Sequence, residues 1–150
     1  DARGFRAEDF ARSHPGGALG RRLLTRVADV MRAGDEVPRV GPEASFSALM
    51  REITHKGLGA SAIVDADGRP VGIFTDGDLR RLVETGRDLR ALTAREVMHP
   101  RPRHIRDDAL AAEAAEAMET HRITVLLVLD AGGRLVGAVN SNDLMRAKVI

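Results

Sequence analysis

Apolar positions along the first half of the chain predict a short succession of elements. A helical spacing of apolar residues predicts an amphipathic helix over 44–55, closed by the glycines that follow it. That apolar face consists of Phe46, Leu49, Met50 and Ile53. Two apolar runs, 60–64 and 71–75, predict strands joined by a turn over 65–68. Another helix is predicted over 77–85.

The same order of elements returns in the second half. The pattern predicts a helix over 109–121, with Asp107 or Asp108 as its N-cap. Strands over 125–129 and 135–139 and a closing helix over 142–148 follow. Each half also begins with a short apolar segment and an extended piece, formed by Val27, Val30, Met31 and Val37–Val40 in the first half and by Val97, Met98 and Ile105 in the second. Each half therefore reads as strand, helix, strand, strand, helix.

The repeat is also visible residue by residue. Residues 65–79 read DADGRPVGIFTDGDL, and residues 130–144 read DAGGRLVGAVNSNDL. Matches at this density indicate a tandem duplication of a unit of roughly 60 residues. A unit this small buries its apolar faces poorly alone, so we expect the two copies to pack together. A cleft along their pseudo-symmetric seam is the expected place for a small molecule.

Composition sets limits on the function. The chain is 43% hydrophobic but only 3% aromatic, without Trp, Tyr or Cys, which predicts one compact domain with an aliphatic core. The lack of Cys excludes disulfides, thiol nucleophiles and thiolate zinc sites, and suits a cytoplasmic protein. No apolar run has membrane-spanning length and no signal peptide opens the sequence, so no membrane partner is expected.

The charge is balanced but biased toward arginine. Lys+Arg total 23 and Asp+Glu 22, and every basic residue except Lys56 and Lys148 is Arg. Acids are interspersed throughout and aromatic residues are few, so a nucleic-acid surface is not expected. The arginines suit bidentate capture of phosphate or carboxylate, although a GC-rich genome is an alternative explanation. The five histidines show no i, i+4 pairing with an acid, so no metal site is predicted.

The end of each unit resembles the cystathionine β-synthase (CBS) domain, which occurs in pairs called Bateman modules. Residues 72–79, GIFTDGDL, match its Gly-x-x-Thr-x-x-Asp-Leu ending, whereas 137–144, GAVNSNDL, places Asn140 where Thr is usual. The resemblance implies an α+β fold with α/β-type layers, built from two β-α-β-β-α units related by a pseudo-two-fold axis. The expected boundaries are 26–86 for the first CBS domain, 87–93 for a linker and 94–150 for the second CBS domain.

Four longer strings resemble the D-arabinose 5-phosphate isomerases. They are SHPGGALGRRLL at 13–24, GDEVPRV at 34–40, ITHKGLG at 53–59 and GIFTDGDLRR at 72–81. In that family a sugar isomerase (SIS) domain interconverts D-ribulose 5-phosphate and D-arabinose 5-phosphate for synthesis of the lipopolysaccharide sugar Kdo, and a CBS pair follows. Residues 1–25 are then expected to be a flexible remnant of the SIS domain and its linker.

His14 lies in the His-Pro-Gly-Gly string of this remnant. The resemblance implies that it belongs to the active site of the whole isomerase, where enediol chemistry needs a group that titrates near neutrality. The other acid-base residues and the phosphate-binding loop would lie upstream. We therefore expect an isomerase as the parent enzyme and no catalysis by these 150 residues alone.

The resemblance also implies ligand-binding residues at the starts of the closing helices. In CBS domains the carboxylates at the positions of Asp78 and Asp143 accept hydrogen bonds from the ribose diol of a nucleotide. Thr75 is a candidate for binding phosphate, and Asn140 occupies the equivalent position in the second unit. For both aspartates and for Thr75 the alternative is simple helix capping. The Thr-to-Asn difference predicts inequivalent half-sites and favours Asp78 over Asp143.

Other polar residues are expected along the seam if the resemblance holds. Those that frame the ligand are expected to be Arg39, Ser61, His99, Arg101, Arg103, His121 and Arg122. The last four of these are candidates for holding a phosphate or a sugar-acid carboxylate. The alternative for each is a solvated surface position.

These expectations leave several functions open. The first is an allosteric sensor that needs no cofactor and binds CMP-Kdo, the activated end product, as a feedback inhibitor. An allosteric sensor that binds AMP or ATP instead is a variant of this hypothesis. The alternative is a structural module that dimerises through its CBS pairs and holds a tetrameric isomerase together. A free-standing nucleotide sensor of another enzyme or transporter is a third possibility.

Overall fold

The computed structural model describes residues 24–150. The elements of the first repeat are α1 (Val27–Val30), β1 (Arg32–Ala33), β2 (Arg39–Val40), α2 (Phe46–Lys56), β3 (Ala60–Val64), β4 (Pro70–Thr75) and α3 (Asp76–Glu84). Those of the second are α4 (Ala94–Val97), β5 (His99–Pro100), β6 (His104–Arg106), α5 (Ala111–His121), β7 (Val125–Leu129), β8 (Leu135–Asn140) and α6 (Ser141–Arg146). This confirms the α+β fold and the tandem units. Among these residues no helix is long and apolar enough to cross a membrane.

Helix α2 shows how local sequence sets the element ends. Ser45 precedes the helix, and its Oγ accepts a hydrogen bond from the backbone N–H of Ala48 at 3.1 Å. Gly57 ends the helix in the left-handed conformation, with φ of 68°, as the sequence predicted. Between these caps the apolar face buries Phe46, Leu49 and Ile53.

Helix α5 begins differently from the prediction. Neither Asp107 nor Asp108 caps it, because the residue before the helix is Leu110, whose backbone N–H donates to the carboxylate of Glu113 at 2.8 Å. Asp108 instead accepts a hydrogen bond from Arg106 at 3.1 Å. The carboxylate within the first turn thus replaces the expected N-cap side chain.

Two four-stranded sheets form the centre of the molecule, in the orders β1-β8-β7-β6 and β2-β3-β4-β5. Each sheet contains a strand from the other repeat. The first-repeat strand β1 pairs with β8, with Arg32 opposite Ala138, and the second-repeat strand β5 pairs with β4, with His99 opposite Ile73. This exchange was not predicted, and it ties each repeat into the sheet of the other.

The apolar residues form three clusters. One lies between the two sheets and contains residues from both repeats: Val37, Leu58, Ala60, Ala62, Val125, Leu127, Leu129, Leu135 and Ala138. A second joins helices α1 and α5 to β7 and β8, and a third joins α2 and α4 to β3 and β4. The molecule is therefore two sheets face to face, each covered by helices on its other side.

Candidate functional site

A groove where the two repeats meet collects three of the six basic residues that the sequence predicted for a ligand. Its volume is about 520 Å³. It is lined by Arg69, Pro70, Arg101, Pro102, Arg103, His104, Ala117, His121, Leu126, Leu129 and Gly133. We call it the basic groove. The first repeat contributes Arg69 and Pro70, and the second contributes the rest.

The loop between β5 and β6 and the end of α5 position the basic side chains. Arg101 adopts a left-handed conformation, with φ of 53°, at the turn that leads into β6. The guanidinium Nη1 of Arg103 lies 3.4 Å from Nε2 of His121, which is the last residue of α5. His104 Nδ1 lies 3.2 Å from the carbonyl oxygen of Pro102. Ala117 stands one helical turn before His121 and keeps this wall of the groove small and uncharged.

The basic groove has no acidic residue in its lining. Within residues 24–150, none of its basic side chains forms an ion pair with a carboxylate. The guanidinium of Arg69 donates to the carbonyl oxygen of Gly132 at 3.0 Å, and Arg103 contacts His121. A site with uncompensated positive charge and apolar walls suits an anion that also carries an apolar or planar group.

The start of α3 holds Thr75 and Asp78 in a reciprocal cap. The backbone N–H of Thr75 donates to Asp78 Oδ2 at 3.0 Å, and the backbone N–H of Asp78 donates to Thr75 Oγ1 at 3.2 Å. Asp78 Oδ1 accepts a 2.6 Å bond from Arg81, whose side chain is 72% exposed. Both residues therefore cap the helix, and the remaining partner of Asp78 is a surface arginine.

The start of α6 repeats this cap with Asn140 in place of Thr. Asn140 N–H donates to Asp143 Oδ2 at 3.0 Å, and Asp143 N–H donates to Asn140 Oδ1 at 2.8 Å. Arg32 from β1 adds two bonds to the Asp143 carboxylate, both at 3.3 Å, and Arg146 adds another. The side chain of Asp143 is only 5% exposed. This carboxylate is thus enclosed by arginines, unlike that of Asp78.

The remaining predicted residues lie outside the basic groove, and so do the two helix starts. Ser61 is fully buried, and its hydroxyl donates to the carbonyl oxygen of Ala62 at 3.0 Å. Arg39 is exposed and donates from its backbone N–H to Glu52 at 2.9 Å. His99 is exposed in β5, and Arg122 ends α5 in the left-handed conformation. His14 lies outside the described residues.

Sequence reasoning missed three features of the site. Arg69 and His104 line the basic groove but were not among the candidates, and Arg32 was not connected with Asp143. Arg69 has a sequence signal, since Arg134 repeats it at the matching place in the second unit. The role of Arg32 had no such signal, because it depends on strand exchange between the repeats.

No group of three or more His, Asp or Glu side chains that could hold a metal ion occurs in the part of the chain from residue 24 onward. The model for the family described as CBS domain matches residues 27–85 and 94–150. The relative "Arabinose 5-phosphate isomerase KdsD" of Pseudomonas aeruginosa is 51% identical over 150 residues, which are all of this chain and 46% of that protein. This chain thus spans less than half of that relative's length.

Solved structures agree with the fold. The CBS domain pair of protein MJ0100, in complex with 5-methylthioadenosine and S-adenosyl-L-methionine, matches with a TM-score of 0.74 and 23% identity. That match covers 83% of this chain and 96% of the other. The CBS domain protein PAE2072 from Pyrobaculum aerophilum, complexed with AMP, matches with a TM-score of 0.71 and 24% identity, over 79% of this chain and 89% of the other.

Proposed function

This chain belongs to the CBS domain family, and we propose that it is a regulatory module whose basic groove binds a phosphate-bearing, nucleotide-type ligand. The observation that carries this proposal is the set of basic side chains around one groove with no carboxylate among them. Arginine and histidine donors of this kind suit a phosphate or carboxylate group. The AMP complex of PAE2072 supports a nucleotide as the class of ligand.

We propose that the whole protein is an arabinose 5-phosphate isomerase, with units at 26–86 and 94–150 joined by a linker over 87–93. The 51% identity to the Pseudomonas aeruginosa enzyme supports this proposal. In it, residues 1–25 are the end of the sugar isomerase domain, and His14 is an active-site residue of that domain. Ligand binding to the CBS pair would then change activity by favouring one conformation of the catalytic part.

Among nucleotides we propose CMP-Kdo as the ligand. It carries both a phosphate and a sugar-acid carboxylate, and the basic groove offers arginines on two sides, Arg69 from the first repeat and Arg101 and Arg103 from the second. As the activated end product it is also a logical feedback inhibitor. AMP and ATP are the competing ligands, and either would make the module an energy sensor.

In this proposal two separate groups of residues recognise the ligand. We propose that Arg101, Arg103 and His121 hold the anion, since all three line the basic groove. Asp78 remains the candidate for a ribose diol, because its Oδ1 is held only by the exposed Arg81. Asp143 is the weaker candidate, since a ligand would have to displace arginines from a buried carboxylate.

Parallel calorimetric titrations with CMP-Kdo, CMP, AMP and ATP test the proposal. We expect CMP-Kdo to bind most tightly and Arg103→Gln to weaken its binding by about tenfold, the loss of one charge-assisted bond. Arg106→Gln is the matched control, because Arg106 lies three residues further along, at the end of β6, and outside the groove. Heat from AMP or ATP alone would overturn end-product sensing. A loss of binding in Asp78→Ala but not in Arg103→Gln would place the ligand at the start of α3. It would contradict the proposal that the basic groove is the binding site.

Self-association is the second candidate function. The closing helices expose apolar side chains, Val83 at 57% and Met145 at 52%, and exposed apolar surface of this kind often marks an interface. If no nucleotide binds and the chain sediments as a dimer that Val83→Asp dissociates, a structural module becomes the better account. A monomer at all concentrations would count against this second function.

A further inference from the structure

The duplication gives the residues that line the basic groove equivalent positions in the first repeat. Strand β2 pairs with β3 in parallel, with Arg39 opposite Ala62, and β6 pairs with β7 in parallel, with His104 opposite Leu127. Both pairs are related by an offset of 65 residues, and the same offset relates helices α2 and α5. Each wall residue contributed by β6 and α5 therefore has an identifiable equivalent on β2 and α2.

At the equivalent positions of the first repeat, a carboxylate lies among the basic residues. Glu52 lies one turn before Lys56 on α2, and its Oε2 lies 3.1 Å from Lys56 Nζ. The side chains of this pair are only 20% and 17% exposed. The same oxygen of Glu52 accepts the backbone N–H of Arg39 at 2.9 Å, while the Arg39 guanidinium donates to the carbonyl oxygen of Gly34 at 3.3 Å. An incoming anion would therefore meet the Glu52 carboxylate beside these cations.

The second repeat lacks this carboxylate. Ala117 stands at the position equivalent to Glu52, and His121 stands at the position of Lys56. Arg103 replaces Pro38 and Arg101 replaces the exposed Glu36, which adds two cations before β6. As a result the walls of the basic groove present arginines and histidines with no acid to neutralise them.

We propose that the carboxylate at this helix position, present as Glu52 and absent at Ala117, keeps the phosphate group out of the first repeat. Residues 24–150 then hold one phosphate site, in the second repeat. This inference rests on the proposed function, because it assigns specificity within the same ligand site. The Glu52 carboxylate repels a phosphate group at short range, and the repulsion is weakly screened because this side chain is only 20% exposed.

Site-resolved NMR with inorganic pyrophosphate as the probe tests this assignment. In the wild type, we expect amide shifts to move around 101–104 and His121 and to stay fixed around Arg39 and Lys56. Ala117→Glu should weaken this binding by about tenfold or more, since it places a carboxylate beside Arg103 and His121. Ala112→Glu is the matched control, the same change on α5 away from the basic groove. Glu52→Ala should add a second set of shifts around Arg39 and Lys56.

The outcomes separate the inference from the proposed function. Wild-type shifts around Arg39 and Lys56 as well as in the basic groove, or Glu52→Ala without new shifts in the first repeat, would overturn the inference. If the wild type binds no pyrophosphate but Glu52→Ala does, the proposed function fails at the basic groove while the role of Glu52 stands. If neither protein binds, both are wrong. Equal losses in Ala117→Glu and Ala112→Glu would also count against the inference.

Discussion

At the scale of single residues, the contact between Arg32 and Asp143 is the clearest difference between the two repeats. A buried carboxylate that loses its charged partner destabilises the fold, because its charge is then buried without a partner. An exposed ion pair contributes little to the free energy of unfolding. Asp143 is 5% exposed and Arg32 21%, whereas Arg81, the charged partner of Asp78, is 72% exposed. The same type of bond should therefore matter far more in the second repeat.

We expect Arg32→Ala to lower the free energy of unfolding by about 2 kcal/mol, because Asp143 keeps only Arg146 as a charged partner. Arg81→Ala is the matched control and should lower it by less than about 0.5 kcal/mol. Urea denaturation of both variants and the wild type measures the two losses. Equal losses would contradict the structural role given to Arg32.

Arg122 provides a second test at this scale. It ends α5 with φ of 54°, at the place where Gly57, with φ of 68°, ends α2. A left-handed conformation is unfavourable for a residue with a Cβ and easy for glycine. We expect Arg122→Gly to raise the free energy of unfolding by about 0.5–1 kcal/mol, after allowing for the greater freedom of glycine in the unfolded chain. A lower melting temperature for this variant would contradict that account.

At the scale of elements, the exchanged strands depend on two buried glycines. A Cβ added to Gly72 would overlap the Met98 side chain, with its Cβ 2.9 Å away, and a Cβ added to Gly137 would overlap Met31. Gly137 also faces the backbone carbonyl oxygen of Arg32, 2.8 Å from such a Cβ. One methionine therefore packs on each glycine, but only the Gly137 contact also involves backbone.

Gly72→Ala and Gly137→Ala should each destabilise the protein by about 1–3 kcal/mol through overpacking. Shortening the methionine should rescue them unequally. Met98→Gly should remove most of the penalty of Gly72→Ala, because the Met98 Cβ goes with the rest of the side chain, whereas Met31→Gly should leave a remainder for Gly137→Ala because the Arg32 carbonyl stays in place. Double-mutant cycles from thermal unfolding measure both couplings. Equal rescue would show that the backbone contact has no effect.

The hairpin turn before β8 gives a prediction about pH. The pKa of Asp130 is held below its usual value of 3.8, chiefly because the backbone N–H of Arg134 donates a hydrogen bond to its carboxylate. The folded protein thus releases this proton at a lower pH than the unfolded chain. The stabilisation is present above the ordinary pKa and is lost as the pH falls through the lowered pKa.

We expect NMR titration to give a pKa for Asp130 below 3.8. The stability difference between the wild type and Asp130→Asn should be constant above about pH 5 and should shrink in more acidic solution. A difference that grows as the pH falls would contradict the proposed hydrogen bonding of this turn.

At the scale of the whole molecule, the sequence predicted the units but not how they join. The strand bounds 60–64 and 125–129 are confirmed, because apolar runs between turn residues are strong local signals. The two-residue strands β1 and β5 were not predicted, since they are too short for a period and their partners lie in the other repeat. Predictions that depend on local chemistry therefore succeeded more often than those that depend on topology.

The same distinction applies to the candidate site. Arg101, Arg103 and His121 meet in one groove, as their basic character suggested, whereas Ser61 is sealed in a strand. Strand exchange and the register of the helices determine which carboxylates are neutralised. No local sequence motif predicts either of them. The Gly-x-x-Thr-x-x-Asp motif did not predict the position of the basic groove, because its residues Thr75 and Asp78 lie outside it.

The central claim is that a phosphate-bearing ligand binds in the basic groove of the second repeat. The most direct test is a crystal structure of this chain with whichever of CMP-Kdo, CMP, AMP and ATP binds most tightly. We predict phosphate density within hydrogen-bonding distance of Arg101 and Arg103, near His121. A ligand seated instead at Thr75 and Asp78, or bound only at a surface between copies of the chain, would contradict the claim.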